Sequence, residues 1–457
     1  MTRTRAWPYL LPGILSALVF VIFPMLYTMG MGFTNYSARN LLDYERARAL
    51  LLEEKLTVEG SKRAFSLHPE GEQLRLQLQG DGSSAALVSP LLSLDNPASA
   101  SSQPVQLTTH TGPLAPALPV RDVVPHLPAL RALELTDDAG HHLTLANLRS
   151  FAQTRPLYQS QADGSLRDNL SGEVYRSDPV EGFFTSPTGE TLQPGYQVNV
   201  GLRHFARIFT DERFRAPFFS VFGWTVIFSA CTVLFTTALG LLLAVLMNWE
   251  GLEGRSAYRL VLFLPYAVPG FISILVFKGL FNQNLGEVNL ILNGLFGIKP
   301  AWFSDPLLAK IMLLIVNTWL GFPYMMVVCT GLIKAIPADL YEASAVAGAG
   351  PLVNFWRITM PLIVKPLTPL LISAFAFNFN NYVLISLLTG GRPDQLDSSL
   401  PAGTTDILVS YTWRIAFQDS GQQFGLASAI STVIFLMVAA ITLVQMHLTK
   451  VNDGAKR

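Results

Sequence analysis

Six long apolar runs decide what this chain can fold into. A helix that crosses the hydrocarbon core of a bilayer needs about 20 mostly apolar residues. Backbone polar groups cannot stay unpaired in lipid, so each run is expected to be helical. The sequence therefore predicts a mainly α-helical polytopic membrane protein with six transmembrane helices. The runs are Tyr9–Phe33, Pro217–Met247, Leu260–Phe281, Leu307–Ile333, Leu362–Leu388 and Phe424–His447.

The first run has the features of a membrane anchor. Its apolar stretch is longer than a typical signal-peptide core, and it ends in MGMGF without a small-x-small cleavage site. We therefore expect a retained anchor, residues 1–33, and not a cleaved signal peptide.

Composition argues against several other classes. Half of the residues are apolar, 14% are charged and the formal net charge is zero. A nucleic-acid partner therefore has no electrostatic support. Cys231 and Cys329 both lie in apolar runs, which argues against a disulfide framework or a zinc site.

Basic residues of the short connections indicate the orientation. They precede run one, separate runs two and three, flank runs four and five, and follow run six, so all fall on one side in a six-span arrangement. Lysine and arginine in short loops favour the cytoplasmic side. We expect both termini there. The residues are Arg3, Arg5, Arg255, Arg259, Lys334, Arg357, Lys365, Lys450, Lys456 and Arg457.

The polar segment 34–215 predicts one large extracytoplasmic insert. The stretch 41–55 is typical of a helix, and Leu74, Leu76 and Leu78 alternate as in a half-buried strand. We expect a β-rich α+β domain. It ends in GLRHFARIFTDERF, an amphipathic helix that suits the membrane interface; packing on the insert itself is the alternative. The insert's histidines are scattered and predict no metal or catalytic site: His68, His110, His126, His141 and His142.

Two apolar runs carry amides beside aromatic rings at helical spacing. Polar residues inside a span usually face the bundle interior or a wet cavity. Amides and rings suit a neutral sugar, since amides bind hydroxyls and rings stack on the C–H face. Interhelical hydrogen bonding explains the same residues equally well. The residues are Asn317, Leu320, Gly321 and Tyr324 in run four and Ala374, Phe377, Asn378 and Asn381 in run five.

The spans carry no interior Asp or Glu. Proton-coupled carriers commonly use such groups as relays, so a secondary carrier is disfavoured, although sodium coupling through carbonyls stays open. The chain also lacks the G-x-x-x-x-G-K-[ST] phosphate loop and cannot hydrolyse ATP by that route.

The segment 335–361 between runs four and five predicts a helix-turn-helix. Asp339 is placed to cap the first helix, and Gly348 and Gly350 favour a turn. Pro351 suits the start of a second helix, which we expect Pro361 to end. This element is either structural or a coupling element for a soluble partner.

The stretch YEASAVAGAGPLVNFWRITMPLI resembles the EAA loop of ABC importer permeases. The resemblance implies that the loop seats on an ATPase subunit and transmits its closure. Ala347 stands where the family often has Asp, and Met360 replaces the usual Leu before proline. The implied ATPase-coupling residues are Glu342, Ala343, Ser344, Gly348 and Pro361.

Further stretches, including KPAWFSDP, NTWLGFPYMM and FNFNNYVL, resemble the larger permease of maltose/maltodextrin ABC importers over nearly the whole chain. The resemblance favours a sugar site over interhelical bonding. Trp319 lies off the helical face deduced above, and Ala374 replaces a serine of some relatives. The implied substrate-binding residues are Asn317, Trp319, Leu320, Gly321, Tyr324, Phe377, Asn378 and Asn381.

The same resemblance implies the function. The chain would be the transmembrane permease subunit of an ATP-driven maltose/maltodextrin importer in a bacterial inner membrane, with a periplasmic insert. Residues 216–457 would form its five-helix core. Its partners would be a second permease, two ATPase subunits, a periplasmic maltose-binding protein and lipid. The chain itself would bind no cofactor, since ATP and Mg would bind the ATPases. Alternatives are another disaccharide such as trehalose, a secondary sugar carrier, or an anchored extracytoplasmic enzyme.

Overall fold

A computed structural model describes residues 7–79, 86–94, 104–109, 112–138, 140–249, 251–395, 401–418 and 422–448. It divides into two compact units. The helical unit comprises Met1–Arg39 and Val198–Arg457, and the insert unit comprises Asn40–Gln197. Several residues used above lie outside the described ranges: Arg3, Arg5, His110, Lys450, Lys456 and Arg457.

The insert unit is built mainly from β-strands, as predicted. Its larger sheet has the order β5-β7-β8-β9-β2-β3-β4-β6, with β1 paired to β9, and its smaller sheet has the order β10-β11-β12-β13. All pairs are antiparallel except β5 with β7. The strands are β1 Lys55–Thr57, β2 Arg63–Glu70, β3 Gln73–Leu78, β4 Leu87–Val88, β5 Val105–Gln106, β6 Thr108–Thr109, β7 Leu135–Thr136, β8 His142–Asn147, β9 Ser150–Pro156, β10 Tyr158–Ser160, β11 Leu166–Asp168, β12 Val174–Asp178 and β13 Phe183–Thr185.

Alternating leucines fix the register of β3 in the larger sheet. Leu76 and Leu78 are fully buried, and Leu74 packs against the same core at its edge. Side chains of a strand alternate between faces, so a one-residue slip would expose this whole set. A helix also forms within the predicted stretch 41–55, where the Asp43 side chain accepts the Arg46 amide.

The described residues contain seventeen α-helices, α1 to α17 in chain order. They are α1 Trp7–Ala17, α2 Phe23–Met31, α3 Tyr44–Glu53, α4 Val120–Val123, α5 Leu127–Ala132, α6 Arg203–Thr210, α7 Glu212–Asn248, α8 Arg255–Ala267, α9 Gly270–Leu280, α10 Glu287–Phe296, α11 Pro306–Lys334, α12 Ala338–Val346, α13 Pro351–Asn354, α14 Met360–Phe379, α15 Tyr382–Leu388, α16 Leu408–Trp413 and α17 Phe424–Leu448. π-helical turns at Leu18–Ile22 and Phe355–Thr359 join α1 to α2 and α13 to α14.

Among the described residues, five helical stretches are long and apolar enough to cross a membrane, or six if one bent pair counts as a span. The bent pair, α8 and α9, corrects the single straight helix expected over Leu260–Phe281, because its halves meet at 91°. Val268 is extended there (φ −95°, ψ 130°) and precedes Pro269. A residue before proline is driven from the helical region, and the proline lacks an N–H donor.

The run predicted over Leu362–Leu388 also differs. The helix begins earlier, at Pro351, and breaks after Phe379, so that Asn380 and Asn381 join α14 to α15. Pro361 was expected to end a helix, and this prediction was wrong. Pro361 lies in the first turn of α14, directly after the π-helical turn. Local π geometry is one way in which membrane helices tolerate proline.

The amphipathic helix α6 packs with the helical unit, which makes the insert unit narrower than the predicted 34–215. Ile208 of α6 is fully buried in one cluster with Phe214 and Phe218. Leu202 and Phe209 remain exposed. The buried face explains why Val198 onward belongs to the helical unit, and the location of α6 at a membrane surface stays a prediction.

Helices α7 and α11 pack closely along their lengths because glycines let the backbones meet. A Cβ added to Gly240 would lie 2.6 Å from Met325 Cβ and 2.8 Å from the Met326 nitrogen. A Cβ on Gly321 would lie 2.8 Å from Thr236 Cγ2. Small residues at helix interfaces allow this approach in membranes.

We predict that Gly240→Ala destabilises the protein by about 1–3 kcal/mol, because its methyl group would overpack the interface with α11. Gly223→Ala, in the same helix, is the matched control: an added Cβ there meets no atom within 4 Å. Its higher helix propensity should leave stability unchanged or raise it by up to about 1 kcal/mol. Thermal unfolding in detergent measures both. Equal effects would contradict the close packing at Gly240.

Candidate functional site

Three asparagines are linked by hydrogen bonds: Asn317 in α11, Asn378 in α14 and Asn381 at the break that follows α14. Asn317 Nδ2 donates to Asn378 Oδ1 at 2.7 Å and to Thr232 Oγ1 at 3.2 Å. Asn381 Nδ2 donates to Asn317 Oδ1 at 3.4 Å. Asn378 Nδ2 donates to the Ala374 carbonyl at 2.8 Å. These side-chain amides are therefore satisfied within the protein, as interhelical bonding predicts.

The break between α14 and α15 positions two of these amides. Asn378 lies in the last turn of α14 and is buried. Asn381 is the N-cap of α15, where its Oδ1 accepts the Leu384 amide at 3.4 Å. An N-cap asparagine satisfies a first-turn amide that has no helical partner. One side chain therefore both ends the break and reaches α11.

Seven of the eight predicted substrate-binding residues line one cavity of about 880 Å³. The Phe377 ring is 70% exposed, and the Tyr324 ring is also exposed. The amides form the buried part of the wall. Ala374 and Asn380 line the same cavity. The seven are Asn317, Leu320, Gly321, Tyr324, Phe377, Asn378 and Asn381.

Trp319 is the predicted residue that does not line this cavity. Its ring packs edge-on against Phe277 of α9, with centroids 5.0 Å apart. The helical-face analysis agrees with this placement, whereas the assignment by resemblance does not. A sugar contact of Trp319 stays a prediction.

Sequence reasoning missed much of the opposite wall. Thr232 and Thr236 of α7 line the cavity, and so does the bend between α8 and α9, including Pro265, Tyr266 and Phe271. The PYAVPG stretch carried a signal: two prolines and a glycine inside an apolar run mark an interrupted membrane helix, and such interruptions occur where the backbone borders a cavity or protein.

The described residues that line the cavity include no Asp, Glu, Lys or Arg. The described chain also contains no group of three or more His, Cys, Asp or Glu that could hold a metal ion. Beside aliphatic residues, the lining offers amides, hydroxyls and aromatic rings. This chemistry suits a neutral ligand with many hydroxyl groups, which needs both donors and acceptors and an apolar stacking surface.

The segment 335–361 contains a short helix, α12, a tight turn and the start of a second helix at Pro351, as predicted. The second helix is not short, because it continues through the π-helical turn into α14. Gly348 has φ +77°, a conformation that favours glycine. Ser344 Oγ donates to Asn354 Oδ1 at 2.5 Å and thereby ties the two helices. Glu342 and Ala343 are exposed, and Val346 is 91% exposed. The first helix therefore presents a free polar and apolar surface.

Comparison with known families identifies both units. Residues 42–201 match the model of the maltose transport system permease protein MalF P2 domain. Residues 236–453 match the model of the inner membrane component of binding-protein-dependent transport systems.

Similar proteins match along almost the entire chain. The maltose/maltodextrin transport system permease protein MalF of Vibrio parahaemolyticus is 49% identical, over 98% of this chain and 86% of its own length. The MalF protein of Escherichia coli K12 is 48% identical, over 98% of this chain and 88% of its own length. Among solved structures, a bacterial ABC transporter that imports alginate is 23% identical, with a TM-score of 0.48, and covers 55% of this chain and 83% of that chain.

We predict that Asn378→Ala destabilises the protein by about 1 kcal/mol, because Asn317 Nδ2 would lose its closest acceptor. Asn380→Ala is the control, since Asn380 is exposed and donates only within its own helix, to the Ala376 carbonyl. Unfolding in detergent measures both. The Asn317→Ala/Asn378→Ala double variant should be non-additive by at least about 0.5 kcal/mol. Strict additivity would contradict the bond.

Proposed function

Because the chain belongs to the MalF family of maltose transport permeases, we propose that it is the transmembrane permease subunit of an ATP-driven importer of maltose and maltodextrins. The carrying observation is one uncharged cavity between membrane helices, walled by amides, hydroxyls and exposed rings. A channel for a neutral sugar needs this chemistry at mid-span. Another disaccharide such as trehalose is the alternative substrate.

The proposed sugar contacts are of two kinds: exposed rings, and amides that already have hydrogen-bond partners in the protein. The exposed rings of Phe377 and Tyr324 offer stacking surfaces for the apolar face of a pyranose. The amides of Asn317, Asn378 and Asn381 already bond to each other. A sugar hydroxyl, which both donates and accepts, can replace an amide in this network bond for bond.

Coupling to ATP is assigned to the segment 335–361. The chain has no phosphate loop, so its energy would come from two partner ATPase subunits that bind ATP and Mg. Exposed Glu342 and Ala343 offer the docking surface. Ser344 and Gly348 would maintain the conformation of the turn, and Pro361 would maintain the first turn of α14. ATPase closure would then move α14, which the segment enters directly.

A second permease and a periplasmic binding protein complete the proposed importer. The basic short loops support an orientation with both termini in the cytoplasm and the insert in the periplasm of a bacterial inner membrane. The insert would hold the binding protein in register. At rest the sugar path would face inward, and ATPase closure would turn it outward to receive sugar. Sugar binding in only one state couples transport to that state.

We predict that Phe377→Ala raises by about tenfold the maltose concentration that half-maximally stimulates ATP hydrolysis, because about 1.5 kcal/mol of ring stacking is lost. The assay uses proteoliposomes with the two ATPase subunits, the second permease and the binding protein. Phe296→Ala is the matched control: Phe296 is equally exposed, at 70%, but does not line the cavity.

Equal responses of both phenylalanine variants would contradict the sugar site at Phe377. If another disaccharide stimulates hydrolysis by the wild type and maltose does not, the proposed importer function stands but its proposed substrate is wrong. Sugar uptake without any ATPase subunit would favour a secondary carrier instead.

We predict that Gly348→Pro abolishes sugar-stimulated ATP hydrolysis, because proline fixes φ near −65° where the turn requires +77°. Gly350→Ala is the control in the same turn. Its φ is −80°, and an added Cβ meets no atom within 4 Å. Hydrolysis is measured in the assembled transporter. Stimulation that survives Gly348→Pro would refute the coupling role.

A further inference from the structure

A second cavity, of about 340 Å³, lies beside the end of α11 that leads into the segment 335–361. It shares no lining residue with the larger cavity. One side is polar, with Ser256 and Arg259 from α8 and Thr330 from α11. The other side is apolar. The proposed function uses none of these residues.

Arg259 is the charged group of this cavity, and its bonds are incomplete. Nη2 donates to the Met247 carbonyl at 2.9 Å, close to the end of α7. Nε is buried and has no hydrogen-bond partner among the described residues. The described lining also includes no Asp or Glu. A positive charge beside a membrane helix is costly when it is unpaired, so an anionic partner would stabilise Arg259.

The surrounding backbone also favours an anion. Helix α8 begins at Arg255 after Gly254, without a side-chain cap. The N-terminal end of a helix carries partial positive charge and attracts an anion, and at α8 the Ala257 amide already donates to the Gly254 carbonyl at 2.9 Å. The Ser256 hydroxyl is exposed in that turn. Lys334 follows Thr330 by four residues on α11 and therefore shares its face.

The apolar side of the cavity continues along exposed helix surfaces. Leu260 is 75% exposed, and Phe263 and Val327 are also exposed. Ser256, Arg259, Leu260 and Phe263 follow i, i+3, i+4, i+7 and so form one face of α8. This face changes from polar to apolar over two turns. The ligand that fits is anionic at one end and apolar at the other.

We propose that this cavity binds an anionic phospholipid. Its phosphate would pair with the Arg259 guanidinium and accept a hydrogen bond from the Ser256 hydroxyl, and one acyl chain would lie along Leu260, Phe263 and Val327. A free phosphate could satisfy the polar end but leaves the apolar wall uncovered. Arg259 already bonds to α7, so the lipid would fasten α8 to α7 and α11. Helix α8 leads into the bend that lines the larger cavity.

The test counts lipids bound to the purified full chain by native mass spectrometry. The chain is delipidated and titrated with phosphatidylglycerol or phosphatidylcholine in mixed micelles. We expect the wild type to prefer phosphatidylglycerol and Arg259→Gln to bind it about tenfold more weakly, the typical loss for a charge-assisted hydrogen bond. Lys365→Gln is the matched control, because it removes one exposed positive charge outside the cavity.

Two further arms identify the ligand and guard against misfolding. Val327→Trp would fill the apolar side without touching Arg259, and it should also weaken phosphatidylglycerol binding. Inorganic phosphate at the same concentration should not compete with the lipid; full competition would replace the lipid by free phosphate and overturn the proposal. The proposal also fails if the wild type shows no lipid preference, or if Lys365→Gln loses as much binding as Arg259→Gln.

Discussion

Lipid offers no hydrogen bonds to the backbone, and this constraint connects the breaks in the membrane helices with the cavity. Every interrupted turn in an apolar run must find partners inside the protein. The part of the chain that the structure describes has such interruptions at Val268–Pro269 and at Asn380–Asn381. Both border the same cavity of about 880 Å³. The breaks therefore occur where the backbone borders a cavity and not lipid.

The hydrogen bonds between the asparagines hold the cavity wall in one defined arrangement. A cavity lined by unpaired amides would be unstable, because a buried polar group without a partner costs about 1–3 kcal/mol. Here Asn317 bonds to both Asn378 and Thr232, so α11 is tied to α14 and to α7. In the proposed importer, interhelical bonding and sugar recognition are successive uses of the same amides. A sugar gains affinity only where it replaces these bonds with better ones.

Long apolar runs allowed the continuous helices to be predicted closely. Helices α7, α11 and α17 end within a few residues of the predicted bounds. The alternation of Leu74, Leu76 and Leu78 likewise predicted β3. These patterns are local, and burial in lipid or in a sheet core enforces them. The resemblance to a family supplied the EAA-like segment, which no periodicity could have identified.

The failures arise where backbone geometry departs from one continuous helix. A helical wheel placed Phe377, Asn378 and Asn381 on one face, but Asn381 lies beyond the break and reaches the cavity as a helix cap. Pro361 reads as a stop signal, yet a π-helical turn carries the chain past it. The bend at Pro269 brings a second wall to the cavity. None of these outcomes follows from apolar periodicity alone, because that pattern assumes one continuous helix.

The distribution of glycines and breaks also separates rigid from adaptable parts of the helical unit. Gly240 and Gly321 let α7 and α11 approach so closely that an added methyl group at either position would overlap the facing helix. The bent pair α8–α9 and the interrupted pair α14–α15 are instead the adaptable parts. Their interruptions can absorb changes in φ and ψ, as hinges do. Since α14 continues from the segment 335–361 and ends at the asparagines, one helix connects the proposed ATPase surface to the cavity wall.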